Sequence, residues 1–89
     1  MRKMKLIITI IPGNECDNIS IALTEKKFRV TKIASTGGFL RRGNATLLVG
    51  VDDEKLDEAI SLIKNGVENT SEQQKGVLFV VKVDKFIHF

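Results

Sequence analysis

Residues 28–51 read FRVTKIASTGGFLRRGNATLLVGV, and this stretch decides the fold. Alternating apolar and β-branched residues predict one strand at 28–35 and another at 45–51. The segment between them contains three glycines, two arginines and an asparagine, a composition typical of a turn that tolerates positive φ. Because so short a link permits a hairpin but not a crossover, we expect the two strands to pair antiparallel.

Upstream of this hairpin the sequence predicts a strand and then a helix. Residues 6–11 read LIITII, which is typical of a strand buried on both faces, and a Pro-Gly pair ends it. In the helix that follows, Asn14 is the expected N-cap and the cations Lys26 and Lys27 suit the C-terminal end. Its buried face is expected to comprise Cys16, Ile19, Ala22 and Leu23.

Downstream of the hairpin the pattern is again helix and then strand. A helix with Asp52 or Asp53 as its cap and Asn65-Gly66 as its stop is followed by a polar loop at 67–76 and a strand at 77–83. The order is β-α-β-β-α-β, which predicts an α+β ferredoxin-like sandwich with both helices on one face of a four-stranded antiparallel sheet. The helix stripe consists of Leu56, Ala59, Ile60 and Ile63.

The length and the apolar strands predict one domain that assembles with copies of itself. Eighty-nine residues leave no room for a second domain, so residues 1–89 are expected to form one. Three of the strands are apolar on both faces, whereas two helices cover only one face of a sheet. A bare apolar sheet face is unusual in a monomer, so we expect a homo-oligomer whose sheets face each other.

Charge and composition narrow the function. The net charge is +3, and residues 1–51 contain nine Lys and Arg against three Asp and Glu. This half of the chain would attract an anionic ligand, although a solvated basic face is the alternative reading. The absence of Trp and Tyr disfavours single-stranded nucleic acid as a partner. The chain has a single cysteine and no segment of membrane-spanning length, and its first apolar run is too short for a signal peptide. We therefore expect a cytoplasmic protein with no membrane partner.

The glycine turn and its flanking strands contain the candidate site. Consecutive glycines let backbone N–H groups converge on phosphate oxygens, although a simple turn is the competing explanation. Arg29 and Thr31 are expected to share one strand face. Gly50 either admits a flat base or marks a bulge or close packing. Phe39 either packs on a base or anchors the loop, and Asn44 is either a turn residue or a ligand contact.

Residues 28–44, continuing through 50–52, closely resemble the signature of the bacterial cyclic di-AMP receptor proteins of the PII-like superfamily. The resemblance extends to 4–11, to the second helix as far as Ile63, and to 77–89, so it covers most of the chain. It implies a non-catalytic signal-transduction protein, a PII-like homotrimer with three nucleotide sites in the clefts between neighbours.

The resemblance also implies which residues take part. Cyclic di-AMP or a related adenine nucleotide is the expected ligand, with an unidentified downstream protein as a partner and with no cofactor, metal ligand or catalytic residue. The ligand-binding residues that it implies are Arg29, Thr31, Gly37, Gly38, Phe39, Leu40, Asn44, Gly50 and Phe79.

Three departures from the family pattern keep other functions open. The family usually has Asn at the position of Lys27 and Gln at that of His88, and its insertion before the last strand is much longer than residues 67–76. A structural trimer that has lost its ligand fits the shortened loop. An acylphosphatase is the enzyme alternative, but it requires an arginine after the first strand, where residues 12–17 read PGNECD.

Overall fold

The computed structural model describes residues 3–33, 44–67 and 76–89. In these ranges the chain forms four strands, two α-helices and one 3-10 turn in the predicted β-α-β-β-α-β order. The elements are β1 (Met4–Pro12), α1 (Gly13–Glu25), β2 (Arg29–Ile33), β3 (Asn44–Asp52), a 3-10 turn (Asp53–Lys55), α2 (Leu56–Val67) and β4 (Val77–Val83).

The strands form one antiparallel sheet in the order β2-β3-β1-β4. The central pair, β1 and β3, is in continuous register over nine residues, from Met4 opposite Asp52 to Pro12 opposite Asn44. The predicted ferredoxin-like α+β architecture is confirmed, including the antiparallel pairing of the hairpin strands β2 and β3.

The hydrophobic core lies between the sheet and the helices. Alternate residues of β1 and β3 point toward the helices because side chains along a strand alternate between faces. The hydroxyl of buried Thr9 donates a hydrogen bond of 2.8 Å to the carbonyl of Val77, which satisfies the hydroxyl and ties β4 to β1. Fully buried core side chains include Ile7, Ile11, Cys16, Ile19, Leu23, Leu47 and Val49.

The opposite face of the sheet, which we call the open face, has no helix against it in the described chain. On β4 it presents Val77, Phe79 and Val81, and Phe79 is 54% exposed. On β1 it presents the half-buried Leu6 and Ile8. The exposed apolar face that the strand patterns predicted is therefore present along β4, whereas Thr46 of β3, which also lies on this face, is buried.

The predicted N-cap of α1 and the predicted stop of α2 are wrong by one or two residues, whereas Asp52 occupies the N-cap position of the 3-10 turn that leads into α2. Asn14 lies inside α1, because the N-cap position is Pro12, whose fixed φ of −58° and extended ψ turn the chain directly from β1 into the helix. Asp52 precedes the 3-10 turn and forms no side-chain cap hydrogen bond there. Asn65 and Gly66 do not stop α2, which continues to Val67.

The C-terminal end of α1 is a Schellman motif with a lysine in the left-handed position. The N–H of Phe28 donates to the carbonyl of Leu23 at 3.0 Å, and the N–H of Lys27 donates to the carbonyl of Thr24 at 2.9 Å. Lys27 has φ +68°, a conformation that costs a non-glycine residue roughly 1–2 kcal/mol. Phe28 and Leu23 are both buried in the same hydrophobic core, and these are the two positions that pack together in this motif.

Lys27→Gly is expected to raise the free energy of unfolding by about 0.5–1 kcal/mol. Glycine removes the left-handed strain, and its greater freedom in the unfolded chain offsets part of the gain. Urea denaturation followed by circular dichroism measures the change. Lys26→Gly is the control, since φ at Lys26 is −89° and nothing is relieved there. A Lys27→Gly variant less stable than the wild type would contradict this account.

Gly66 is kept inside α2 by the packing of α1. A Cβ at this position would overlap the side chain of Ile19, which is fully buried in the core. Overpacking of this kind costs roughly 1–3 kcal/mol, more than the helix-propensity gain of about 1 kcal/mol from alanine.

Gly66→Ala is therefore expected to lower the free energy of unfolding by about 1 kcal/mol, again measured in urea. In an Ile19→Ala background the obstructing atoms are gone, so the same substitution should become stabilising. A destabilisation of equal size in both backgrounds would show that contact with Ile19 is not the cause.

Candidate functional site

The predicted site residues fall into two groups. Arg29, Thr31, Asn44, Gly50 and Phe79 lie in the described ranges. Four others, together with the arginines beside them, belong to residues 34–43, which lie outside the described residues. Those four are Gly37, Gly38, Phe39 and Leu40.

The five described site residues all lie on the open face of the sheet. Arg29 pairs with Gly50, and Thr31 pairs with Leu48. Arg29, Thr31 and Gly50 therefore surround one corner of the sheet, on β2 and β3. Arg29 and Thr31 are exposed, and they are two residues apart on the same face, about 6.6 Å along the strand. Asn44 is on the same face of β3 but at its other end, opposite Pro12.

Gly50 leaves a gap beside the Arg29 side chain. A Cβ placed on Gly50 would meet no atom within 4 Å, so close packing does not explain the glycine in the described chain. Its pairing with Leu6 and with Arg29 is regular, so no bulge explains it either. Among the described residues, the space over Gly50 on this face of β3 is therefore open.

Phe79 does not join this corner within one chain. It occupies the same cross-strand row as Thr31, in the order Thr31, Leu48, Ile8, Phe79, but on the opposite edge of the sheet. Three strand spacings separate the two residues, or about 14 Å. A single subunit therefore cannot place Phe79 beside Arg29, although a second copy could.

Arg29 and Gly50 also line a cavity of about 280 Å³ at the end of the sheet where β2 begins and β3 ends. This cavity contains residues that the sequence analysis did not assign to a site. The sequence predicts Lys26 and Lys27 only as cations suited to the end of α1, and Lys55 follows β3 in the 3-10 turn. The full lining comprises Met4, Lys26, Lys27, Phe28, Arg29, Gly50, Val51, Asp52 and Lys55.

The cavity is strongly cationic. Among the described residues that line it, four are Lys or Arg and one, Asp52, is acidic. The salt bridges between described residues join Lys5 to Asp53 at 2.7 Å and Lys32 to Asp17 at 3.8 Å, so neither uses a cation of the cavity. The hydrogen bond and charge of Lys5 lower the pKa of the Asp53 carboxyl, which keeps that carboxylate ionised as a partner of Lys5.

These groups can bind an anion. Arginine and lysine donate charge-assisted hydrogen bonds to phosphate oxygens, and Thr31 adds a hydroxyl on the neighbouring row. In the described ranges no group of three His, Cys, Asp or Glu residues is placed to hold a metal, and the thiol of Cys16 is buried in the core. None of the helices in these ranges is both long and apolar enough to cross a membrane.

Comparison with known proteins identifies relatives of the whole fold. A functionally unknown protein from Pediococcus pentosaceus, known from its crystal structure, matches with a TM-score of 0.86 and 27% identity, covering 100% of both chains. The PII protein of Arabidopsis thaliana, crystallised with citrate, matches with a TM-score of 0.76 and 23% identity over 91% of this chain and 78% of its own. The latter likeness shows a shared PII-like fold.

The sequence match is more specific than the structural one. Residues 4–75 match the family model described as cyclic-di-AMP receptor, and this range includes both helices, the hairpin and the β1 strand. The match spans most of the chain and includes Arg29, Thr31, Asn44 and Gly50. This protein therefore belongs to the cyclic-di-AMP receptor family.

Proposed function

We propose that this chain is a signalling receptor that binds cyclic di-AMP, without catalysis, in clefts between the subunits of a homotrimer. The observation that carries the proposal is the corner of the open face where exposed Arg29 and Thr31 stand beside the unfilled space over Gly50. Membership of the cyclic-di-AMP receptor family supports the choice of ligand.

The chemistry of this corner suits a dinucleotide with two phosphodiester charges and flat bases. A base fits over a strand position that lacks a Cβ, and the guanidinium of Arg29 can bind phosphate oxygens or the acceptor edge of a base. Each hydrogen bond to a charged group contributes roughly 1.5–3 kcal/mol. Three or four of them with base burial, less the ordering cost, reach micromolar affinity, about −8 kcal/mol. Gly37, Gly38, Phe39 and Leu40 are proposed to contribute loop amides and packing.

Two features support a site that is shared between subunits. The cavity has a volume of about 280 Å³, whereas sites that enclose drug-sized ligands have roughly 300–1,000 Å³. A ligand with two adenosines therefore needs a larger site, to which a second subunit contributes residues. Phe79, on the opposite edge of the sheet, is exposed and free of the helices. The proposal assigns it to the site of a neighbouring copy.

The open face and the C-terminal tail supply the driving force for assembly. Val77, Phe79 and Val81 are about half exposed, and in the tail Phe86 and Ile87 are still more exposed. Burial of this apolar area at about 25 cal/mol per Å² favours association. A cytoplasmic location, which suits the unpaired thiol of Cys16, and an unidentified protein partner downstream belong to the same proposal.

Isothermal titration calorimetry with cyclic di-AMP is expected to give micromolar affinity for the wild type and at least tenfold weaker binding for Arg29→Ala. Lys64→Gln, which removes one positive charge from the exposed face of α2 outside the cavity, is the matched control and should bind like the wild type. No heat with the wild-type protein, or equal affinities for wild type and Arg29→Ala, would refute the proposed function.

The assembly is tested separately by light scattering after gel filtration. The wild type is expected at three times the monomer mass, and Phe79→Asp, which places a charge on the open face, should shift the population toward monomer. A wild type that remains monomeric at the concentrations used for calorimetry would remove the shared cleft from the proposal.

A further inference from the structure

The lysine end of the cavity has more positive charge than the proposed nucleotide contacts use. Lys26 and Lys27 reach it from the end of α1, whereas Lys55 reaches it from the 3-10 turn after β3. Exposed basic residues from two separate segments thus line one concave space, together with Arg29. A solvated basic face would instead spread such charges over a convex surface.

The backbone of Lys27 adopts a left-handed conformation, which is energetically unfavourable for lysine. The Schellman motif requires a left-handed residue at this position, and glycine or asparagine adopts that conformation with less strain. Favourable interaction with the end of the helix dipole does not require Lys27, because the adjacent Lys26 already supplies a cation there. The strain therefore supports a role for the ammonium group itself.

The local charge balance favours an anion with more than one charge. Asp52 is the single carboxylate among the described residues that line the cavity, against four cations. A phosphodiester has one negative charge, whereas a terminal phosphate group has about −1.5 to −2 at neutral pH and three strong acceptor oxygens. The cavity volume of about 280 Å³ is roughly nine times the 30 Å³ share of one water, which leaves room for such a group.

We propose that the Lys26, Lys27 and Lys55 end of this cavity is a subsite for a terminal phosphate, so that the receptor prefers ligands with a phosphomonoester. As far as it concerns nucleotides, the inference rests on the proposed function. The linear 5′-phosphorylated adenine dinucleotide has the same two bases and two phosphorus atoms as cyclic di-AMP, but one of the two phosphodiesters is opened to a terminal phosphomonoester and a free 3′-hydroxyl. It is the ligand class that uses both the Arg29 corner and the lysine end.

The direct test compares the two dinucleotides by calorimetry on the wild-type protein and three variants. The linear dinucleotide should bind the wild type about tenfold more tightly than the cyclic one. Lys27→Gly, which is expected to be more stable than the wild type, should bring this affinity ratio close to one, and Lys55→Gln should lower it. Lys64→Gln removes the same charge elsewhere and should leave the ratio unchanged.

A second measurement separates a phosphate group on a nucleotide from a free phosphate chain. Inorganic pyrophosphate, followed by NMR, should shift the amide resonances of Lys26, Lys27 and Lys55 in the wild type, with weaker shifts in Lys27→Gly. Pyrophosphate that binds as tightly as the linear dinucleotide would identify a free phosphate chain as the ligand of this subsite and would overturn the preference for a nucleotide.

The results distinguish this inference from the proposed function. The subsite is overturned if the wild type binds the linear and the cyclic dinucleotide with equal affinity. It is also overturned if Lys27→Gly and Lys64→Gln lower the affinity ratio equally, even when cyclic di-AMP binds as expected. Conversely, pyrophosphate shifts that depend on Lys27 support the subsite even if cyclic di-AMP produces no heat, a result that refutes only the proposed function.

Discussion

The nine-residue pairing of β1 with β3 is the constraint on which the rest of the molecule depends. Its register places Ile7, Val49 and their alternate neighbours toward the helices, and it places Leu6, Leu48 and Gly50 on the open face. Because side chains alternate with a period of two, a slip of one residue would exchange the two faces. The core would then be exposed, and the gap over Gly50 would be buried beneath the helices.

The open face divides into a polar edge and an apolar edge as a consequence of the same sheet order. β2 contributes Arg29 and Thr31 at one edge, and β4 contributes Val77, Phe79 and Val81 at the other. Under the proposed function, ligand contact and subunit contact therefore share one face of the sheet rather than lying on opposite sides of the molecule. In that proposal, head-to-tail neighbours bring the apolar edge of one subunit to the polar corner of the next, and such contacts form a closed ring when the rotation between subunits closes.

Local patterns in the sequence predicted the strands well and the special positions poorly. The bounds of β4, the hairpin and the shared face of Arg29 and Thr31 follow from alternation and turn composition, which are local properties. Sequence pattern alone predicts a helix stop at Gly66, because the need for glycine there depends on Ile19, which is distant in the chain. The left-handed conformation of Lys27 is also not predictable from the sequence. Lysine disfavours that conformation, and only the hydrogen bonds at the end of α1 impose it.

The remaining differences between the sequence-based predictions and the structure arise from contacts between segments that are distant in the chain. The cavity joins Lys26 and Lys27 to Lys55, and no spacing in the sequence relates the end of α1 to the turn after β3. Likewise the separation of Phe79 from Thr31 depends on the β2-β3-β1-β4 order, in which the two residues occupy opposite edges. Under the proposed function, that separation couples ligand and assembly: a ligand held by both edges binds only the associated state. At a hundred times its dissociation constant, such a ligand stabilises that state by about 2.7 kcal/mol per site, which transmits a signal without any chemical step.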